Sequence, residues 1–178
     1  LEVANDYATS YIPTTTATVT RQADQCNGAG TSAEFNDSEG VLFAEVAALD
    51  EAQGTSVITI SDSSLSDRVL IAFVSGELRG EFVSTGGTHT RTSSGLVIEN
   101  FNKIACSYTA TTFKVFINGL QVLNTGTITT SMSGIVELAF DRGDGANDFY
   151  GKTKQLMAFN QALTDSELEQ ITSWTSFS

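Results

Sequence analysis

Residues 113–123 read Phe113-Lys114-Val115-Phe116-Ile117-Asn118-Gly119-Leu120-Gln121-Val122-Leu123. Apolar side chains at Phe113, Val115 and Ile117 fall on alternate positions, the period of a strand with one face in a core. Asn118-Gly119 then breaks the run. A two-residue type I′ turn needs positive φ at both central residues, and Asn-Gly accepts that better than other pairs. The stretch therefore predicts a β-hairpin with strands over Phe113–Ile117 and Gln121–Leu123.

The same signature recurs outward from this hairpin. Upstream, Ile104–Tyr108 alternates Ile104, Cys106 and Tyr108. Glu77–Ser84 and Thr88–Thr92 flank Gly86-Gly87, a second hairpin signal. If those glycines form the loop, Val83 faces Thr90, Glu81 faces Thr92, and Arg79 stands next on the same side. Phe82 then shares the other face with His89 and Arg91. Val69–Val74 is the longest uninterrupted apolar run, with six residues. It predicts that Arg68–Val74 is a central strand covered on both sides. Thr18–Arg21, Val41–Leu49, Val57–Ile60, Ile135–Phe140 and Lys154–Phe159 complete the set. In Val41–Leu49, Leu42, Ala44 and Val46 alternate against Phe43 and Glu45.

Short strands separated by turn residues, with no helices between them, predict an all-β fold. The expected architecture is a two-sheet antiparallel jelly-roll sandwich with one short C-terminal helix. That helix is marked by Thr164 as N-cap and Glu167 three residues on, a capping box, with Leu163 and Leu168 as a hydrophobic staple. Leu168, Ile171 and Trp174 fall on one face, which should lie against the sandwich.

The chain has 178 residues, enough for one domain that buries roughly 70% of its unfolded surface without help from a disulfide or metal. Fifteen Gly and a single Pro suit tight turns between short strands. Residues 1–16, including the extended Tyr11-Ile12-Pro13-Thr14-Thr15-Thr16, read as a linker or edge segment from a preceding domain, and 17–178 as the sandwich. Leu1 in place of an initiator Met adds the expectation of a longer parent protein. Cys26 and Cys106 allow one disulfide at most; alternation points Cys106 into the core, so free thiols are the leading reading and a bridge the alternative.

Nine Lys and Arg against 21 Asp and Glu give a formal net charge of -12. Such a surface repels phosphate backbones and anionic headgroups, which argues against nucleic-acid and membrane-surface binding. No apolar run approaches the ~20 residues of a membrane-spanning helix. The acidity fits an abundant, repeated structural protein that must stay soluble, or else an acid-tuned cation site.

Asn102-Lys103-Ile104-Ala105, the stretch ending in Ile117-Asn118-Gly119, Phe149-Tyr150-Gly151-Lys152 and Phe159–Leu168 together resemble the C-terminal half of laminin-G-like, concanavalin A-like jelly rolls. In these a strand ends in "ING" and a late strand runs through "ALT..EL" into a short helix. Tyr7–Thr14, Val19–Asp24 and Ser38–Glu45 resemble a module common in tailed-bacteriophage virion proteins, namely tail fibres, spikes and decoration proteins. The resemblance implies a place in the phage particle, or in the bacterial cytoplasm before assembly. It implies other virion proteins, a glycan or a host-surface receptor as partners, and a homo-oligomer is consistent with it. It carries over no catalytic residues.

The residues themselves offer few reactive constellations. Laminarinase-like enzymes of this fold need two carboxylates on one strand face about 5–5.5 Å apart. The nearest match, Glu34-Phe35-Asn36-Asp37-Ser38-Glu39, puts Glu34 and Asp37 on opposite sides of any strand. His89 is the only histidine; beside a glycine turn, it reads as a solvent-facing strand residue rather than a catalytic base. Asp141, Asp144, Asn147 and Asp148 crowd oxygens into a loop that could serve Ca²⁺, although the spacing fails the EF-hand pattern and suits an ordinary surface turn. Arg142-Gly143-Asp144 matches an integrin-type tripeptide, a pattern too short to carry weight. Trp174 and Tyr108 read as core. For a saccharide, Arg79, Glu81, Thr90 and Thr92 would form one polar sheet surface, with Tyr150 as a stacking platform. A solvated face is the plain alternative. The expected function is a non-enzymatic virion module that binds carbohydrate or a host surface. The alternatives are a purely structural, oligomerising virion domain and a polysaccharide-cleaving enzyme of this fold.

Overall fold

The computed structural model describes residues 28–51, 54–125, 128 and 131–173. The expected linker over 1–16, the strand Thr18–Arg21, Cys26 and Trp174 lie outside them. The described strands are β1 (Gly40–Ala47), β2 (Ser56–Ser61), β3 (Arg68–Val74), β4 (Glu77–Ser84), β5 (Gly87–Ser93), β6 (Asn102–Tyr108), β7 (Phe113–Ile117), β8 (Leu120–Asn124), β9 (Glu137–Ala139) and β10 (Lys152–Phe159). A helix, α1 (Asp165–Ser173), follows. Sheet I has the order β10-β1-β6-β7-β8 and sheet II the order β5-β4-β3-β2-β9. The pairings are antiparallel throughout.

Alternation explains the two layers. Leu42, Ala44 and Val46 of β1 meet Ile104, Cys106 and Tyr108 of β6 and Phe113, Val115 and Ile117 of β7, and all face the inner side of sheet I. Ile58, Ile60, Val69, Ile71, Phe73, Leu78 and Phe82 fill the space from sheet II. Fully burying one such side chain is worth roughly 1.5–3 kcal/mol, so this shared layer dominates the fold's stability. The six-residue apolar run behaves as expected: β3 is the middle strand of sheet II, and its outward Leu70 and Ala72 are buried in a separate cluster with Val57. Cys106 is a free thiol in the core.

The Asn-Gly hairpin forms as read, with φ of 49° at Asn118 and 81° at Gly119. Asn118 also ties the turn to β6: its Oδ1 accepts from the Lys103 amide at 2.9 Å and its Nδ2 donates to Asn102 Oδ1 at 2.8 Å. Gly119 donates its amide to Thr172 Oγ1 at 3.1 Å, and a Cβ there would lie 2.7 Å from Ser173 Cβ. The turn is thus also the seat of α1. At the other end of the helix, Glu167 accepts from the Thr164 amide and hydroxyl while Thr164 Oγ1 accepts from the Glu167 amide, completing the capping box. Leu168, fully buried, packs with Val41, Phe43, Ala105 and Phe116 on the outer face of sheet I, with Leu163 alongside.

The glycine hairpin corrects the expectation. The loop is Thr85-Gly86, because Ser84 pairs with Gly87 and Val83 with Thr88. The only positive φ there, 138°, falls on Gly87, inside the ladder. Gly86-Gly87 resembles a type I′ pair, but the backbone spends its one unusual conformation after the turn. The register moves by two residues, so Glu81 faces Thr90 and Arg79 faces Thr92. A shift of two preserves the side of the sheet on which each residue stands.

Candidate functional site

Four of the expected ligand-binding residues come together on the outer face of sheet II. Two turns place them. Ser75-Gly76, with φ of 52° and 80°, sets β3 against β4 so that Leu70 faces Glu81 and Ala72 faces Arg79. Thr85-Gly86 sets β4 against β5. Thr90 Oγ1 then donates to Glu81 Oε2 at 3.1 Å, and Arg79 Nε donates to Thr92 Oγ1 at 3.3 Å. Arg79 Nη1 stands 3.8 Å from Glu81 Oε2.

The reading of the residues missed a fifth member, Arg68. Its Nη2 lies 3.6 Å from Glu81 Oε1, and its Nη1 donates to the Leu65 carbonyl at 3.0 Å. Alternation from Leu70 already put Arg68 on this face. Its reach to Glu81 could be inferred only with the register across the Ser75-Gly76 turn. The side chains of Glu81 and Arg68 are 13% and 12% exposed, against 32% for Arg79. Glu81 is therefore the shielded hub, while Arg79, Thr90 and Thr92 form the accessible rim. The buried apolar residues Leu70, Ala72 and Val57 on the same face lower the local dielectric, which strengthens charge-assisted hydrogen bonds there.

Tyr150 does not join this set. It is 55% exposed, but its carbonyl accepts from Ser56 Oγ at 3.5 Å, which sets it beside β2, with β3 between that strand and the β4 that carries Arg79. Tyr150 and Phe101 are the exposed aromatic rings among the described residues, and Lys154 Nζ caps Phe101 at 4.1 Å from its centroid.

The acidic loop turns its oxygens on itself. Asp141 Oδ1 accepts from the Gly143 amide, and Asp144 receives Arg142 Nε at 3.2 Å and Nη2 at 2.6 Å. Those hydrogen bonds from Arg142 hold the Asp144 carboxyl below its ordinary value. They also occupy both charged ends of the Arg-Gly-Asp tripeptide. Asn147, at φ 59°, contributes its carbonyl to the Val57 amide, and Asp148 stands half-buried after it. A Cβ on Gly143 would lie 2.8 Å from Ser61 Oγ, so the loop closes tightly over β2. Asp141, Asp144 and Asp148 do not converge: among the described residues no three His, Cys, Asp or Glu side chains are grouped to hold a metal ion.

Other candidates also serve the fold. Glu34 accepts from the Thr31 amide and hydroxyl, Asp37 from the Gly134 and Ile135 amides, and Glu39 from the Ala162 amide. His89 is half-buried against Phe82 at 6.2 Å between ring centroids, on the inner side of β5, and so is not the solvent-facing residue expected. A groove between β10 and α1 is lined among the described residues by Lys154, Gln155, Leu156, Met157, Gln170 and Ile171, and its Lys154 Nζ lies 3.4 Å from Glu45 Oε1.

These two sheets and the helix define a jelly-roll β-sandwich domain. No protein-family model and no curated protein matches the sequence. Solved structures do match the fold. The CBM40 of the Ruminococcus gnavus IT-sialidase, bound to α2,3 sialyllactose, aligns with a TM-score of 0.64 at 14% identity, over 84% of this chain and 97% of that one. The leech intramolecular trans-sialidase, complexed with 2,7-anhydro-Neu5Ac, aligns at 0.63 and 19% identity over 87% of this chain, which spans 27% of the enzyme's length. A structure of botulinum neurotoxin type C, whose cell entry depends on two ganglioside molecules, aligns at 0.56 and 11% identity over 79% of this chain and 36% of its own. At these identities the likeness is one of fold.

Proposed function

We propose that this chain is a non-enzymatic carbohydrate-binding module whose glycan site is the outer face of sheet II. The observation that carries the reading is the connected set Arg68, Glu81, Arg79, Thr90 and Thr92. A saccharide presents hydroxyls that both donate and accept. Threonine hydroxyls two residues apart on β5 stand about 7 Å apart, and the Arg79 guanidinium adds fixed donors. Because Glu81 already holds both arginines, little side-chain entropy is left to lose on binding. The sugar ligands of similarly folded proteins support a carbohydrate as the class of ligand.

The non-enzymatic part is supported by how the acidic candidates are spent. Glu34, Asp37 and Glu39 cap loop amides, and Glu81 is paired with two arginines rather than with a second carboxylate. The residues that resemble phage virion modules extend the proposal to a tail-fibre, spike or decoration protein contacting a host surface.

A glycan array probed with the wild type and with Arg79→Ala tests the site. The expected result is selective binding that the substitution weakens at least tenfold, about 1.4 kcal/mol. Absence of any binding at high protein concentration, or binding indifferent to the substitution, would remove this site from the account. Release of reducing ends from a bound polysaccharide would overturn the non-enzymatic part. Detection of the parent protein in purified phage particles tests the virion setting.

A further inference from the structure

Three segments meet at the end of the sandwich where β1 begins: residues 36–38, the 62–67 loop between β2 and β3, and residues 133–135 ahead of β9. Asp37 joins two of them, accepting from the Gly134 and Ile135 amides, each at 2.9 Å. Asp62 Oδ1 accepts from the Ser64 amide at 3.0 Å and hydroxyl at 2.7 Å, and the Asp62 amide donates to the Asp67 carbonyl at 3.1 Å.

Asp67 differs from both. It is 5% exposed; Oδ2 takes the Ser133 hydroxyl at 3.5 Å, and Oδ1 is buried with no hydrogen-bond partner. The charged groups acting on it are Asp62 from its own loop and Asp37 from the segment ahead of β1, while the segment ahead of β9 presents Ser133. Arg68, next in the chain, directs its guanidinium to the Leu65 carbonyl and to Glu81.

An ionised carboxylate here would be buried, half-satisfied and beside two like charges, each of which costs free energy. A hard cation would need several converging oxygens, and the acidic side chains are not grouped to supply them. A proton relieves the burial and the repulsion together. We propose that Asp67 holds a proton while the three segments are closed, making this end of the sandwich a latch that tightens on acidification.

Burial first, then Asp62, then Asp37 raise the Asp67 carboxyl above its ordinary value of 3.8. The folded state therefore keeps the proton at a pH where the unfolded chain has released it. The resulting stability is present in full below the ordinary aspartate range and is lost as pH rises through the raised folded value. The latch is independent of the carbohydrate reading, since its readout is stability.

The test compares thermal unfolding of wild type and Asp67→Asn, which keeps shape and removes the charge, in steps from about pH 3, below the ordinary aspartate value, to about pH 8. The expected result is an advantage in Tm for the Asn variant that grows by about 2–4 °C toward the higher pH. A difference that does not change with pH, or a wild type more stable than the variant at the higher pH, overturns the latch. Should the variant fail to fold, NMR titration of the Asp67 carboxyl in the wild type decides: a midpoint above the ordinary aspartate value is expected, and one at or below it contradicts. Calcium at about 1 mM should leave wild-type Tm unchanged; a rise that Asp67→Asn abolishes would replace the proton with a cation.

Discussion

Replacing Glu81 by Gln removes the charge that Arg68 and Arg79 both approach, and leaves the more buried guanidinium of Arg68 without its ion partner. The expected cost is about 1–3 kcal/mol of stability, read by denaturant unfolding; an unchanged midpoint would mean that the hub contributes nothing to order. Gly119 is constrained by its φ of 81° and by Ser173, so Gly119→Ala should destabilise by about 1–3 kcal/mol. Cys106 sits at 0% exposure with its thiol pushed well up by burial. In a Cys26→Ser variant it should resist a thiol reagent in the native protein and react on unfolding; fast native labelling of that variant would contradict its placement. At this scale the sequence was readable wherever a residue type has one common use. Asn118 and Gly119 at positive φ and Cys106 in the alternating row are such cases. Arg68 and Asp67 were not readable, because what each touches depends on segments distant in the chain.

Among the elements, α1 was the most legible, since its start is written in consecutive residues: Thr164 and Glu167 bond reciprocally, and Leu163 and Leu168 flank the same outer face of sheet I. Thr164→Ala should cost about 1 kcal/mol. Leu168→Ala should cost about 2–5 kcal/mol and free the helix from Phe43 and Phe116. Loss of helical circular dichroism before the sheet unfolds would mark α1 as an independent unit; a single transition is expected. The β4–β5 hairpin shows what an element conceals. Thr85-Gly86-Gly87 admits two loops, and the pattern on either side fits both, because each keeps Arg79, Glu81, Thr90 and Thr92 on one side of the sheet. The face was legible and the register was not.

For the whole molecule, period-two hydrophobicity determined the two layers, and the central position of β3 followed from its run of apolar residues. The meeting of loops at the sandwich ends was invisible in the sequence. It explains how Glu34, Asp37, Asp141 and Asp144 come to hydrogen-bond within and between loops. The glycan site proposed above is the outer face of sheet II. Its most direct test is amide chemical-shift mapping during titration with a saccharide selected on the glycan array. The account predicts saturable shifts concentrated at Arg68, Arg79, Glu81, Thr90 and Thr92. Shifts centred instead on the groove between β10 and α1, or on the loops around Phe101 and Tyr150, would contradict it.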